Sequence, residues 1–369
     1  MQRPSLRVII SGGGTGGHIF PAVAIANALK KMNASTEILF VGANGRMEME
    51  KVPAAGYKIV GLNISGIQRK LSFQNLLLPI KVIKSILKAR MIVKDFKPDV
   101  AVGVGGYASG PLLFAATGMN IPALIQEQNS FAGITNKLLA KRVKRICVAY
   151  DGMEAYFPKE KIKITGNPVR ENMVDIKGKR DEALSFFKLS GQKKIILLIG
   201  GSLGARTLNN SIAAGLQQLA DNNIQLIWQT GKAFFPKAQA LTTDYSSNGI
   251  SAFDFIQRMD YAFAAADVVI SRAGASSVSE LALVAKPSIL VPSPNVAEDH
   301  QTKNAMSLVK KNAAILVTDA DATSKLIAEA IALINDQVKQ NTLTENISKL
   351  ALTNSAEVIA EEVYGISGK

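Results

Sequence analysis

Ser11-Gly12-Gly13-Gly14-Thr15-Gly16-Gly17-His18-Ile19-Phe20-Pro21 is the stretch that decides how this chain folds. The β-branched run Arg7-Val8-Ile9-Ile10 precedes it and an alanine-rich amphipathic segment follows, so the order is strand, glycine turn, helix. Pro21 suits the first turn of that helix, where a missing N–H costs nothing, which puts the glycines just ahead of a helix N-terminus. Such a terminus carries free donors and favours anions, and glycine lets a ligand approach the backbone closely. The loop therefore suits a phosphate or the seat of an acceptor. In form, Gly12-x-Gly14-x-x-Gly17 also matches the dinucleotide fingerprint. The second strand, Glu37-Ile38-Leu39-Phe40-Val41, runs into Gly42-Ala43-Asn44 and supplies no carboxylate for a ribose, which weakens that match.

Strands alternate with helices along the rest of the first half, near residues 6–11, 36–41, 57–61, 99–104, 121–125, 145–149 and 161–165, which predicts a parallel sheet covered on both faces. Thr165-Gly166-Asn167-Pro168-Val169-Arg170 then breaks the pattern and marks a domain junction. The second half restarts with the apolar strand Lys194-Ile195-Ile196-Leu197-Leu198-Ile199, followed by Gly200-Gly201-Ser202-Leu203-Gly204 and a helix. With 369 residues the chain exceeds one ordinary core, so two similar α/β domains in tandem are expected. Two more glycine loops, Gly103 to Pro111 and Arg272 to Ser277, follow apolar strands. Ligands of open α/β sheets bind at the C-terminal strand ends, so loops of two facing domains are expected to line one cleft.

Charge separates the halves. Up to Val169 there are 23 Lys and Arg against 9 Asp and Glu, and beyond it 20 against 20, so the whole net charge of +14 lies in the first half. That asymmetry points to an anionic partner, nucleic acid or an acidic membrane surface. The basic residues lack the interleaved aromatics that stack bases, which argues against nucleic acid. Between Arg69 and Lys97, helical phasing from Ile80 sets Lys81, Lys84 and Lys88 on one stripe and Val82, Ile83, Ile86, Leu87 and Val93 on the opposite, core side. Leu71, Phe73, Leu76, Leu77, Leu78 and Ile80 lead into it, flanked by Arg69, Lys70, Lys81 and Lys84. An apolar tip ringed by cations suits an anionic bilayer, with burial in the domain core as the alternative. One cysteine, Cys147, fits a reducing compartment, and neither a signal peptide nor a membrane-spanning run is legible, which points to a cytoplasmic protein.

The chemistry is narrowed by what is missing. Gly178-Lys179 and Gly231-Lys232 are not followed by Ser or Thr, so there is no Walker lysine, and no nucleophile elbow occurs. The two histidines, His18 and His300, fall in loops of the expected cleft without metal-ligand spacing. Asp319-Ala320-Asp321 has the Asp-x-Asp form of metal-dependent sugar transferases, but its place before Thr323-Ser324-Lys325 reads as helix capping. Ser277-Val278-Ser279-Glu280 has capping-box spacing, while beside a nucleotide Glu280 could instead accept two ribose hydroxyls. A site that holds a phosphorylated ligand through backbone amides remains.

Gly13 to Pro21, Gly103 to Pro111, Glu127-Gln128-Asn129, Gly166 to Arg170, Gly200-Gly201-Ser202, Arg272 to Ala275 with Val278-Ser279-Glu280, and Asp299-His300-Gln301 together resemble the MurG family of GT-B glycosyltransferases. The resemblance runs in order from about residue 6 to 305. It implies two Rossmann-like, doubly wound parallel-sheet domains facing across a cleft: residues 1–169 as the acceptor and membrane-facing domain, 170–349 as the UDP-GlcNAc domain, and a final helix at about 350–369 crossing back to the first. It further implies an inverting, metal-independent and cofactor-free transfer of GlcNAc from UDP-GlcNAc to the C4 hydroxyl of MurNAc in undecaprenyl-linked lipid I, at the cytoplasmic side of the cell membrane and in company with cell-wall synthesis proteins. Motif by motif, Arg170, Ser202, Ile256, Ala275, Ser276, Ser277, Val278, Ser279, Glu280 and Gln301 match donor contacts, and Thr15, Gly16, Gly17 and Asn129 close on the donor from the first domain. His18 is the first candidate for the base and Glu127 the second; for His18 the competing role is a hydrogen bond that holds the glycine loop. The chain departs from the family at Gln126, where His is frequent, and at Leu203, where Gln is frequent. Rival activities on this fold are a UDP-GlcNAc 2-epimerase, a glycolipid glycosyltransferase or a non-catalytic nucleotide-sugar sensor.

Overall fold

The computed structural model describes residues 3–64, 78–169, 171–201 and 204–369, which form two compact units. Unit 1 takes Met1–Val169 and Thr353–Lys369, and unit 2 takes Arg170–Leu352. Its first unit is built on β1 (Arg7–Ser11), β2 (Glu37–Ala43), β3 (Lys58–Leu62), β4 (Val100–Gly103), β5 (Ala123–Glu127), β6 (Arg145–Val148) and β7 (Ile162–Ile164). They lie in the order β3-β2-β1-β4-β5-β6-β7, every neighbouring pair parallel. Unit 2 uses β8 (Lys194–Ile199), β9 (Ile224–Gln229), β10 (Ile250–Phe253), β11 (Val268–Ser271), β12 (Ser288–Leu290) and β13 (Ile315–Leu316). Their order is β10-β9-β8-β11-β12-β13, again all parallel. These are the two doubly wound sheets that the alternation of apolar runs predicts.

Helices cover both faces, which is why the central strands are apolar on both sides. Val8 and Ile10 face a cluster with Ile19, Ile25 and Leu29 of the helix Gly16–Met32 and with Ile359, Val363 and Tyr364 of the last helix, Ser355–Ser367. Ile9 points the other way, toward Ala89 and Val93 of the helix Leu78–Phe96 and Leu112 of the helix Ser109–Gly118. Each such fully buried side chain contributes roughly 1.5–3 kcal/mol. Ion pairs fasten the last helix to unit 1: Arg145 to Glu362 at 2.7 Å and Lys31 to Glu357 at 3.2 Å, with Arg3 against Glu361.

Two sequence expectations change. The helix after β1 begins at Gly16, with Thr15 as its N-cap residue, so Pro21 lies inside it and not in its first turn. Proline there cannot donate to the Gly17 carbonyl, and its ring is buried. In the helix Leu78–Phe96 the buried face is Ser85, Ala89 and Val93, whereas Ile83 and Leu87, expected in the core, are 59% and 56% exposed. Lys88, placed on the outer stripe, instead bends inward and donates to the Gly61 carbonyl at 2.8 Å. Arg69, Lys70 and the residues from Leu71 to Leu77 lie outside the described residues.

Candidate functional site

In each sheet the strand order reverses beside the first strand, between β1 and β4 in unit 1 and between β8 and β11 in unit 2. Loops at the C-terminal ends of that pair flank the natural ligand crevice of such a sheet. In unit 1 they are the glycine loop after β1 and residues 104–108 after β4. Val104 donates to the Ser11 carbonyl at 2.7 Å and Gly13 to the Gly105 carbonyl at 3.3 Å, so the two loops are laced together by backbone. Gly106 has φ +90°, and a β-carbon there would lie 2.4 Å from the Gly13 carbonyl oxygen. Only glycine permits this approach.

His18 is the third residue of the helix Gly16–Met32, not a loop residue. Its Nδ1 lies 3.0 Å from the Gly13 carbonyl oxygen and 3.3 Å from Thr15 Oγ1. A carbonyl can only accept, so Nδ1 carries the proton, and in the neutral ring Nε2 is the basic nitrogen. The bond that holds the glycine loop is thus present, and it also fixes the tautomer. Gly105, at φ +95°, packs on the ring: a β-carbon there would lie 2.6 Å from Cδ2 and 2.8 Å from Nε2.

Glu127, at the end of β5, has a buried carboxylate that accepts from four donors. Oε1 takes the Asn129 amide at 3.1 Å and Asn129 Nδ2 at 3.3 Å, and Oε2 takes the Gly133 amide at 3.0 Å and Asn136 Nδ2 at 2.9 Å. Its work here is to shape the loop that presents Asn129. Gln126, where the family often has His, belongs to a buried amide network. It donates to Asn167 Oδ1 at 2.9 Å, Asn167 donates to the Gln128 carbonyl at 2.9 Å, and Gln128 reaches the Val104 carbonyl at 2.8 Å and Gln126 Oε1.

Sequence reasoning passed over Glu48, which does the equivalent work under the glycine loop. Buried at the start of the helix Glu48–Ala54, it accepts from the Gly14 amide at 2.8 Å through Oε2 and from the Ala43 amide at 3.0 Å through Oε1. In Met47-Glu48-Met49-Glu50 nothing local separates this acid from its exposed neighbour Glu50.

Unit 2 gathers the loops after β8, β10, β11 and β12 by similar ties. Gln229, also passed over, ends the apolar strand β9; it donates to the Gly201 carbonyl at 3.3 Å and accepts from the Ile256 amide at 3.1 Å. A polar residue closing an apolar strand was the available signal. Arg272 bridges the carbonyls of Val291 and Pro292 at 3.0 and 3.1 Å and pairs with Asp319 at 2.5 Å, while Thr207 donates to the other Asp319 oxygen at 2.9 Å. The Asp-x-Asp is accounted for by this pair on one side. On the other, Asp321 occupies the N-cap position of the helix Ala322–Asn335, but its carboxylate accepts from the Thr318 hydroxyl at 2.8 Å and pairs with Lys325 instead of capping an amide. Among the described residues, no three His, Cys, Asp or Glu side chains gather to hold a metal ion.

The helix Ala275–Val284 starts at the end of β11 with Gly274 as N-cap, so Ala275, Ser276 and Ser277 form its first turn and present the amides that no helical carbonyl accepts. The capping box expected at Ser277 is therefore not formed, because Ser277 is already helical; Val278 is buried, while Ser279 and Glu280 are half-buried one turn on. His300 opens the helix His300–Val309, behind two consecutive left-handed residues, Glu298 (φ 55°) and Asp299 (φ 52°). Thr302 donates to Asp299 Oδ1 at 2.7 Å and Lys303 to the Glu298 carbonyl at 2.8 Å, holding a turn that costs about 1–2 kcal/mol per residue. Gln301 next to it accepts from the Ser293 amide at 2.9 Å. Ile256 is buried. Arg170 and Ser202, two expected donor contacts, lie outside the described residues, as does Leu203.

The Glycosyltransferase family 28 N-terminal domain matches residues 8–148, and the family's C-terminal domain matches residues 195–363. A UDP-N-acetylglucosamine–N-acetylmuramyl-(pentapeptide) pyrophosphoryl-undecaprenol N-acetylglucosamine transferase of Parabacteroides distasonis is 56% identical over 98% of this chain and 99% of its own length. The one of Bacteroides fragilis is 57% identical over 99% and 97%. Among solved structures, MurG of Acinetobacter baumannii superposes with a TM-score of 0.81 at 29% identity, over 98% of this chain and all of that one. A UDP-N-acetylglucosamine 2-epimerase reaches 0.65 at 14% identity, a likeness of fold alone. The chain belongs to glycosyltransferase family 28 and, within it, to the UDP-N-acetylglucosamine–N-acetylmuramyl-(pentapeptide) pyrophosphoryl-undecaprenol N-acetylglucosamine transferases.

Proposed function

We propose that this chain moves GlcNAc from UDP-GlcNAc to the C4 hydroxyl of MurNAc in undecaprenyl-linked lipid I, with inversion to a β1,4 linkage, giving lipid II. His18 Nε2 takes the hydroxyl proton, the freed oxygen attacks C1 of the sugar, and the bond from C1 to the diphosphate breaks with its electrons leaving on UDP. The observation that carries this reading is the Nδ1 bond to Gly13, which leaves the basic nitrogen of His18 at the β1–β4 switch point. Glu127 stays a positioning group, since a carboxylate with four donors must shed one before it can take a proton.

Unit 2 holds the donor. The first-turn amides at Ala275, Ser276 and Ser277 stabilise the departing diphosphate, Glu280 accepts from the ribose, and Ile256, Val278, Ser279, Gln301, Arg170 and Ser202 complete its surroundings, with Thr15, Gly16, Gly17 and Asn129 as further donor contacts. No divalent ion is required in this scheme, because helix amides replace it. Release of UDP from UDP-GlcNAc only when lipid I is supplied, at an unchanged rate in EDTA, is the result expected. UDP release without acceptor, or loss of activity in EDTA restored by magnesium, overturns the reading.

Unit 1 docks on the anionic inner face of the cell membrane, as a peripheral protein. Ile80, Ile83, Leu87 and Met91, all more than half exposed, form one stripe along the helix Leu78–Phe96, with Lys84, Arg90 and Lys94 exposed beside it. The helices Ser109–Gly118 and Ile134–Leu139 pack in series against the same core and add exposed Phe114, Ile134 and Leu138. No helix of the described residues is long and apolar enough to cross a membrane, and an exposed apolar stripe with cations beside it suits attachment to an anionic bilayer surface.

A further inference from the structure

The donor loops of unit 2 lie at the C-terminal ends of its strands. At the opposite ends the same unit has a groove of about 550 Å³, bounded by the starts of β8 and β11, the turn after the helix Ala275–Val284, and the helices Arg180–Phe187 and Gln337–Ser348. Four cations line it, Arg180, Lys193, Lys194 and Lys286, against a single carboxylate, Asp267. That carboxylate is already engaged: Arg180 pairs with Oδ1 at 3.0 Å, and the Ile195 amide donates to Oδ2 at 2.8 Å. Among the described residues, Lys193, Lys194 and Lys286 have no carboxylate in direct contact, and Asp267 acts on Lys286 only at longer range. Lys194 donates to Asn335 Oδ1 at 3.0 Å, and Lys286, half-buried, has the Ala266 carbonyl at 2.6 Å as its one hydrogen-bond acceptor among the described residues. Burial pushes the Lys286 ammonium down to about 8, with Asp267 opposing and Arg180 reinforcing that shift.

We propose that this groove is a second ligand site, built for a small soluble molecule bearing a phosphate group. Lys193, Lys194 and Lys286 supply ammonium donors from two separate segments, which suits a group with several charged oxygens better than a lone carboxylate. The volume falls in the range of small-molecule sites. On one helix Gln337 donates to Asn341 Oδ1 at 2.9 Å, and the Gln337 carbonyl oxygen, the Asn341 N–H groups and the Thr344 hydroxyl offer partners for the hydroxyls or amides of the uncharged part; among the described residues no aromatic side chain lines the groove for a base to stack on. The site is separate from the donor's. The helix Ala275–Val284 has its N-terminus on the donor side and its C-terminus, at Val284 and Ala285, in the groove. Ten residues span about 15 Å, so both ligands fit at once.

The test is calorimetric titration of inorganic pyrophosphate at pH 7 into the full chain saturated with UDP, so that the donor's diphosphate positions are already filled. A one-to-one binding event is expected, weakened at least tenfold in the Lys193→Gln/Lys286→Gln double variant and unchanged in Lys349→Gln, which alters an exposed lysine elsewhere on the unit. UDP binding is measured first in each variant, which reports both folding and the soundness of the donor assignment independently of the groove. Should the double variant not fold, Lys193→Gln alone is expected to weaken binding about threefold. No uptake of pyrophosphate by the UDP-saturated protein, or equal affinity in the folded groove variants, overturns the proposal.

Discussion

The carboxylate of Glu48 holds the amide of Gly14 at 2.8 Å, across 34 residues of sequence, and with its other oxygen holds Ala43 at the end of β2. One acidic side chain thereby fixes where the glycine loop leaves the sheet. Each bond to a charged group contributes on the order of 1.5–3 kcal/mol. Glu48→Gln, which must turn an N–H toward one of the two amides, is expected to lower the unfolding free energy by about 1–3 kcal/mol and kcat by at least tenfold, with a smaller change in UDP affinity, since most of the proposed donor contacts are on unit 2. Urea unfolding and steady-state kinetics measure the two effects. Unaltered kcat in a destabilised variant would confine Glu48 to stability.

Gly105 gives a way to move His18 without replacing it. Alanine at φ +95° puts its methyl 2.6 Å from the ring, so Gly105→Ala is expected to reduce kcat toward the level of His18→Ala, about 10²- to 10⁴-fold below the parent, while both variants bind UDP normally. If His18→Ala instead loses UDP binding or unfolds, the bond to Gly13 is its whole role.

Glu280→Ala is expected to raise the KM for UDP-GlcNAc at least tenfold with a smaller change in kcat. Asp321→Ala should leave both constants unchanged, since that carboxylate serves Thr318 and Lys325. Activity that depends on a divalent metal and is lost in Asp321→Ala would overturn this assignment.

Liposome co-sedimentation tests the exposed stripe. Reversing Lys84, Arg90 and Lys94 to Glu removes roughly 1 kcal/mol of attraction per residue and should weaken binding to anionic vesicles in a salt-dependent way. Ile83→Ser with Leu87→Ser should weaken binding at high salt too, and neither set should change turnover of a short-chain soluble acceptor. Equal binding to neutral and anionic vesicles counts against the electrostatic part.

Lys286 makes a pH prediction whose sign follows from burial. Its folded value of about 8 lies below the ordinary lysine value near 10.4. Between them the unfolded chain holds a proton that the folded chain does not, so this residue adds stability as pH rises from about 8 toward 10. Buried Cys147 works in the opposite direction, since desolvation raises its thiol and unfolded cysteine ionises first. The Lys286→Met variant isolates the first effect: parent minus variant stability should increase across that range in urea titrations, and a flat difference sinks the assignment.

The sheets were legible because parallel strands covered on both faces must be apolar throughout, as in Lys194 to Ile199, and because glycine clusters punctuate them. Which face of the helix Leu78–Phe96 is inward was not, because apolar residues occur all round it; the buried positions are Ser85, which donates to the Asn63 carbonyl, and Ala89 and Val93, which join the core with Leu112. His18 is legible from its glycines as part of the loop after β1. Glu48 and Gln229 escaped because their partners are backbone amides and carbonyls, which leave no trace in side-chain spacing. The capping box failed for a related reason: a Ser three residues before a Glu occurs inside helices as readily as at their start.

Residues 355–367 complete the core of unit 1 only after all of unit 2 has been synthesised. On the ribosome the second unit has its whole sequence before the first does, and the apolar surface of the helix Gly16–Met32 that awaits Ile359, Val363 and Tyr364 stays uncovered meanwhile. The covalent order of the chain therefore leaves the core of unit 1 open until its last helix has been made.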